Sequence, residues 1–213
     1  LKVMRESVVH HIPVINNDRN LVDLFVLDDL LKKRNLPNPV VIMAGGKGER
    51  LGSLTKNCPK PMLEVNGKPI LEIILEKCID AGLNNFYFSV NYLKEKIVNY
   101  FGTGEKWGVN ISYLEEDEPL GTCGSLKLLP NNLTDDLLVL NGDVLTDLEY
   151  DRLMVFHQKS CNSMTVCTRS HRVRIPFAVM TSSGAKLEKF VEKPMYEFQV
   201  NAGVYILNPN LIE

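Results

Sequence analysis

The residues best suited to chemistry begin with Gly45-Gly46-Lys47-Gly48, which follows directly on the apolar run Val40-Val41-Ile42-Met43-Ala44. Arg50, Lys56 and Lys60 come soon after. Glycines let a backbone turn closely around a ligand and aim its N–H groups inward, and the basic side chains match phosphate oxygens, so a triphosphate suits this stretch. The pattern is not the P-loop, which needs GxxxxGK followed by Ser or Thr, nor the dinucleotide fingerprint GxGxxG. On these residues alone, a phosphate cradle and a purely conformational turn stand as equal readings. Asn141-Gly142-Asp143 follows another apolar run, Leu137 to Leu140, and its carboxylate suits either a hard cation or a turn cap.

Other chemistries find little support. The cysteines at 58, 78, 123, 161 and 167 make no CxxC pair, and their odd number fits reduced thiols better than a disulfide framework. Cys123 reads as a small buried residue without a nucleophilic role, because no histidine base adjoins it in sequence. The histidines at 10, 11, 157 and 171 show no zinc-ligand spacing.

The elements that must hold these residues follow from periodicity. Strands are expected at 40–44, 86–90, 109–114 and 137–140, with helices over 70–81, 93–101 and 151–159 and a short one near 122–129. Apolar strands separated by helices imply a mostly parallel sheet covered on both faces, with ligands beyond the carboxyl ends of the strands. Both candidate loops follow such ends. Beyond 159 the chain turns strand-rich, at 164–169, 177–181, 187–192 and 200–207. Before 34, Ile12 to Ile15, the polar Asn16 to Asn20, Leu21-Val22 and the spacing of Leu24, Leu27, Leu30 and Leu31 read as strand, turn, strand, helix. Asn35, Pro37, Asn38 and Pro39 mark a boundary, giving a segment 1–36 and a domain 37–213.

The chain has 213 residues, 45% of them apolar, enough for one substantial core. With 24 basic and 26 acidic residues the formal charge is −2, which offers no general attraction for nucleic acid. No apolar run approaches the roughly 20 residues that cross a bilayer, and the opening residues do not build a signal-peptide core, so a cytoplasmic location is expected. A first residue other than Met, and the interrupted look of Leu211-Ile212-Glu213, lead us to expect material missing at both ends.

Taken further, Gly45-Gly46-Lys47-Gly48-Glu49-Arg50-Leu51, then Leu54-Thr55, then Pro59-Lys60-Pro61-Met62, resembles the motif of the nucleoside-diphosphate-sugar pyrophosphorylases, or sugar nucleotidyltransferases. Leu120-Gly121-Thr122-Cys123-Gly124-Ser125-Leu126 resembles that family's nucleobase loop, Asn141-Gly142-Asp143 its metal-binding turn, Glu192-Lys193-Pro194 its sugar-phosphate segment and Asn201-Ala202-Gly203 the entry to its sugar pocket. The resemblance implies an α/β, Rossmann-like three-layer fold and magnesium-dependent transfer of a nucleotidyl group to a sugar-1-phosphate, with release of pyrophosphate. It assigns Arg50, Lys60, Asp143 and Lys193 to catalysis, and Ala44, Gly45, Gly46, Gly48, Arg50, Gly121, Thr122 and Gly142 to the nucleotide. Glu192, Lys193 and Asn201 fall to the sugar phosphate, and Asp143 to magnesium, with a second aspartate expected beyond the present end.

The nucleobase loop is most similar to the mannose-1-phosphate guanylyltransferase-like branch, which favours GTP and leaves the sugar open. Glu49 departs from the family, which usually has a small hydroxyl residue there, and a carboxylate beside a phosphate site repels the ligand unless it points away or pairs with a base. A catalytically weak regulatory subunit is therefore a second expectation. Residues His11-Ile12-Pro13-Val14-Ile15, Asn16 to Asn20, Leu21-Val22 and Asp28-Asp29-Leu30-Leu31 resemble the end of a CBS repeat. That implies an adenosine nucleotide as ligand of intact CBS domains, and self-association.

Overall fold

The computed structural model describes residues 4, 9–26, 35–116, 121 and 123–212. Strands β1 (His11–Ile15) and β2 (Leu21–Val26) form an antiparallel hairpin. Its turn is closed by the Asn16 side chain, whose Oδ1 accepts from the N–H groups of Asp18 and Asn20 at 3.0 and 2.9 Å, the local competition with regular structure that Asn performs well. The strand runs on to Val26, so Leu24 pairs with Pro13 instead of opening a helix. The apolar and aromatic run Leu21 to Val26 favours extended pairing. Residues 27–34, where that helix was expected, lie outside the described residues.

The remainder runs β3 (Val40–Met43), the short β4 (Glu64–Val65) and β5 (Lys68–Pro69), α1 (Ile70–Asp80), β6 (Asn85–Val90), α2 (Lys94–Phe101), β7 (Asn110–Glu115) and β8 (Leu137–Asn141). It continues with α3 (Tyr150–Lys159), β9 (Met164–Arg174), β10 (Val179–Ser183), β11 (Lys186–Val191) and β12 (Met195–Leu207). Six strands form one sheet in the order β7-β6-β3-β8-β12-β9. The pairs β7–β6, β6–β3 and β3–β8 are parallel, whereas β12 runs antiparallel to both β8 and β9. The sheet is thus mixed, and the parallel expectation holds from its β7 edge through β8. Beyond β8 the chain returns through antiparallel strands that need no helical crossover.

Helix α1 buries Leu71, Ile74, Leu75 and Cys78, a three- and four-residue spacing that sets one face on the sheet. Each such leucine or isoleucine contributes roughly 1.5–3 kcal/mol of burial. They pack with Ile97 and Phe101 of α2, Leu153 and Met154 of α3, and Val40, Ile42, Phe86, Phe88, Leu138 and Leu140 of the sheet. The opposite face gathers Val41, Leu137, Val139 and Leu207 beneath Leu126 and Leu129, from a 3-10 turn at Gly124–Leu128 and the residue after it. The two faces are therefore covered unequally: the three α-helices described all lie on one side.

Strand order defines the place where a ligand fits. The crossover from β3 to β6 passes through α1 on one face, and the crossover from β7 to β8 passes the 3-10 turn on the other. A crevice opens at the carboxyl ends of two neighbouring parallel strands where the strand order reverses, as it does when the chain has run outward from β3 to β7 and returns to β8 on the other side of β3. Here those neighbours are β3 and β8, ending at Met43 and Asn141, which are register partners.

Candidate functional site

The glycine-rich loop leaves β3 through Ala44, whose buried N–H donates to the Ser89 carbonyl at 2.8 Å. Gly48 is left-handed, with φ +64°. A β-carbon on it would come within 3.0 Å of Thr55 Cγ2 and 3.1 Å of Lys60 Cβ, so glycine is demanded both by backbone and by space. Thr55, buried, fastens the loop by donating its hydroxyl to the carbonyls of Gly48 (3.0 Å) and Gly52 (3.3 Å). Tyr92 donates its hydroxyl to the Lys56 carbonyl at 2.7 Å from the outside. Pro59-Lys60-Pro61-Met62 then makes a tight turn, Met62 N–H donating to the Pro59 carbonyl at 2.8 Å, with Pro61 buried as its anchor and Lys60 aimed back at the strand ends.

Across the crevice, Gly142 N–H donates to the Met43 carbonyl at 2.9 Å. A β-carbon on Gly142 would meet that same oxygen at 2.8 Å, so only glycine lets the β8 exit lie this close to β3. The next residue, Asp143, forms an ion pair with Lys60, each side chain about one-third exposed. Met43, Gly46, Gly48, Lys60, Pro61, Asn141, Gly142 and Asp143 together line a cleft of about 190 Å³. Glycine backbone, one ammonium and one carboxylate thus meet at the strand ends, an arrangement that can receive phosphate oxygens on one side and a hard cation on the other.

Asn201 lies at the edge of this site through Gly203. The Gly203 N–H donates to Asn201 Oδ1 at 2.9 Å, Asn201 Nδ2 donates to the Tyr205 hydroxyl at 2.5 Å, and the pairing of β12 with β9 slips between Asn201 and Tyr205. Gly203 has φ +73°, and a β-carbon there would lie 2.6 Å from Asn141 Nδ2. The bulge therefore presses against the residue that precedes Gly142 and Asp143.

Other expected site residues are not drawn into the cleft. Lys193, with φ +42°, and Glu192 sit on the exposed turn between β11 and β12, where their charged groups lie 3.8 Å apart. That turn is tied to the end of β9 by Ile175 N–H to Pro194 carbonyl at 3.1 Å. Gly121 is exposed, with φ +78°; Thr122 and the Arg50 side chain lie outside the described residues. Cys123 is exposed, contrary to expectation, because the 3-10 turn that begins after it turns Ser125 and Leu126 inward instead. Glu49 lines a separate groove with Lys47, Gly52, Ser53, Thr55, Lys56 and Tyr92, away from Asp143. Glu49 thus shares its groove with two lysines and does not line the cleft that holds Asp143.

One residue of the site escaped the sequence reading. Glu116, just past β7, accepts from the buried Ser89 hydroxyl at 2.6 Å. A β-carbon built on Gly45 would lie 3.6 Å from its Oε1, so this carboxylate stands beside the first glycine of the loop. The signal was a carboxylate at the carboxyl end of a parallel strand, the same rule that marked Asp143.

A family model described as nucleotidyl transferase matches residues 39–213. The chain belongs to that family. Mannose-1-phosphate guanyltransferase of Yarrowia lipolytica is 37% identical over 182 residues, covering 81% of this chain and 50% of that protein. The protein of the same name from Saccharomyces cerevisiae is 36% identical over 183 residues, with the same shares. The chain spans about half the length of the curated relatives it matches. Among solved structures, HddC from Yersinia pseudotuberculosis complexed with GMP-PN superposes with a TM-score of 0.61 at 27% identity, covering 83% of this chain and 79% of that one.

The donor set of this nucleotidyl transferase bears on magnesium. Among the described residues no group of three or more His, Cys, Asp or Glu could hold a metal by itself. Magnesium does not need one, since it keeps several waters and commonly binds through one or two carboxylates plus substrate phosphates. Asp143, accessible beside the glycine loop, fits that requirement as a single oxygen donor, and the Lys60 ammonium marks where positive charge is favoured. Among the described residues no helix is long and apolar enough to cross a membrane.

Proposed function

We propose that the chain carries the catalytic half of a sugar-1-phosphate guanylyltransferase, transferring guanylyl from GTP to mannose-1-phosphate with release of pyrophosphate. The observation that carries this reading is the convergence of the Gly46 and Gly48 backbone, Lys60 and Asp143 in one cleft at the β3–β8 switch point. Membership of the nucleotidyl transferase family and the activity for which its relatives are named support it.

In this reading a phosphate oxygen of the sugar attacks the α-phosphorus of the triphosphate, a new P–O bond forms, and the bond to pyrophosphate breaks. The nucleophile is already ionised, so no strong general base is needed, and positioning with charge neutralisation carries the rate. The loop N–H groups and Arg50 cradle the triphosphate, and Lys60 stabilises the charge that grows on the leaving group. Asp143 would hold magnesium, which when bound neutralises phosphate charge and reduces repulsion between two anions. Lys193 and Glu192 take the sugar phosphate and the sugar hydroxyls, which calls for their turn to approach the cleft on binding.

Glu116 favours guanine. A carboxylate accepts from two adjacent N–H donors, and guanine offers N1–H beside N2–H, whereas the pairing edges of adenine, uracil, thymine and cytosine offer no such neighbouring donors. Competition among GTP, ATP, UTP, dTTP and CTP, compared as kcat/KM, tests the assignment. GTP should lead, and Glu116→Gln should erode that lead; preference of the unaltered protein for another triphosphate refutes it.

The amino-terminal hairpin fits the end of a CBS repeat. Leu21, Val22, Leu24 and Phe25 are exposed on a two-stranded unit that is marginal without cover. An intact protein built this way binds an adenosine nucleotide. Calorimetric titration of the full-length protein with AMP and ATP tests it, and absence of binding rejects it.

A further inference from the structure

Asp143 opens a segment, Val144 to Glu149, that leads to α3, and the packing beneath this segment is incomplete. A cavity of about 310 Å³ lies under it, lined by Ile73, Ile74 and Lys77 of α1, by Leu145 and Thr146, and by Tyr150. Inside the segment the support is local and long: Val144 N–H to Asn141 carbonyl at 3.3 Å and Leu148 N–H to Thr146 Oγ1 at 3.2 Å. Leu148 seats the far end of the segment on the core, and among the described residues one polar side chain crosses the gap. Lys77, half-buried, donates its ammonium to the Thr146 carbonyl, 69 residues along the chain, and holds that charge 5.7 Å from the centroid of the buried Tyr150 ring.

We infer that Lys77 is a positioning residue for Asp143, a strut that fixes the height of the carboxylate above the sheet. The inference rests on the proposed nucleotidyl transfer but is read out separately from it. The apolar contacts that seat α1 are made by Leu71, Ile74, Leu75 and Cys78, so Lys77 is free of that duty and its stem runs along the cavity wall. Its head finds a carbonyl dipole and an aromatic face, partners that orient an ammonium without neutralising it. Asp143 stands three residues before the gripped carbonyl. With the strut gone, the loop can sink into the cavity, and displacement of a liganding carboxylate by a fraction of an ångström weakens cation binding and misaligns the phosphates.

The test compares full-length protein with Lys77→Met, which keeps the stem and loses the ammonium, and Lys77→Arg, which restores a donor. Binding of Mn²⁺ in the presence of a non-hydrolysable GTP analogue is followed by water-proton relaxation, well below each variant's unfolding temperature. Lys77→Met should weaken Mn²⁺ binding roughly tenfold, with a similar loss in kcat and little change in KM for the sugar phosphate, and Lys77→Arg should recover most of both. Mn²⁺ affinity equal in Lys77→Met and the unaltered protein, or a loss that arginine does not repair, overturns the strut. Relaxation that responds to Lys77 in a protein releasing no pyrophosphate upholds the strut while defeating the proposed reaction.

Discussion

Lys60 and Asp143, 83 residues apart in the chain, meet as ammonium and carboxylate across the cleft between the ends of β3 and β8. An accessible pair of this kind is worth about 0–1 kcal/mol to the fold. Its place beside the glycine loop matters more than its strength: in the proposed reaction the Lys60 ammonium faces the negative charge that develops on the leaving pyrophosphate. Lys60→Met should therefore change stability by less than about 1 kcal/mol in a denaturant titration. The same substitution should lower kcat/KM by on the order of 10²-fold. Large destabilisation with kinetics intact would reverse this assignment.

Gly48→Ala addresses the loop. The left-handed backbone and the approach to Thr55 and Lys60 act together, so the alanine should cost about 1–3 kcal/mol or shift the loop. In either event the KM for the triphosphate should rise, as initial-rate kinetics and thermal unfolding together would reveal. Gly52, where a β-carbon meets nothing within 4 Å, combines φ +55° with ψ −117°, outside the left-handed well that Gly48 occupies, so Gly52→Ala should destabilise through backbone strain alone.

Glu49→Thr tests whether the departure from the family pattern matters. Because Glu49 lines the groove of Lys47 and Lys56 and not the cleft of Asp143, removing its charge should alter the KM for the triphosphate by less than about threefold, in line with the small worth of exposed charge contacts. A tenfold improvement would mean that the carboxylate reaches the phosphates after all.

Much of this architecture is legible in the sequence, and the reason differs from element to element. Helix α1 announces itself because Leu71, Ile74, Leu75 and Cys78 repeat at helical spacing and Gly82 ends the run. The crevice follows from two apolar strands that each end in glycine. Long-range pairing is harder to read: β12 extends to Met195 and β9 to Arg174 because each exposed half satisfies the other's backbone, a fact carried by no local pattern. Residue type suggests an inside place for Cys123, whereas its position ahead of the 3-10 turn leaves it outside. No local pattern marks Glu116, because its place beside the loop depends on Ser89 and Gly45, distant in sequence and adjacent only across parallel strands.

Tyr100 supplies a prediction in pH. Its hydroxyl donates to Glu72 at 2.5 Å, and this bond, with burial and the carboxylate charge, pushes its ionisation up to about 12. In the unfolded chain a tyrosine ionises near ~10. A folded value above the unfolded one means that the stabilisation is complete below about pH 10 and is lost as pH rises toward about 12. The phenolate absorbance difference between the unaltered protein and Tyr100→Phe should rise late, and Glu72→Gln should bring that rise to lower pH. An unchanged titration in Glu72→Gln would discard the carboxylate as its cause.

The most direct measurement is pyrophosphate release by the full-length protein given GTP, magnesium and mannose-1-phosphate, beside the same assay on Asp143→Ala. The account predicts release by the unaltered protein, with formation of the guanosine diphosphate sugar in equal amount, and a rate reduced by on the order of 10²-fold or more in the variant. No release from any triphosphate and sugar-1-phosphate combination, or a rate that survives the loss of Asp143, would contradict it.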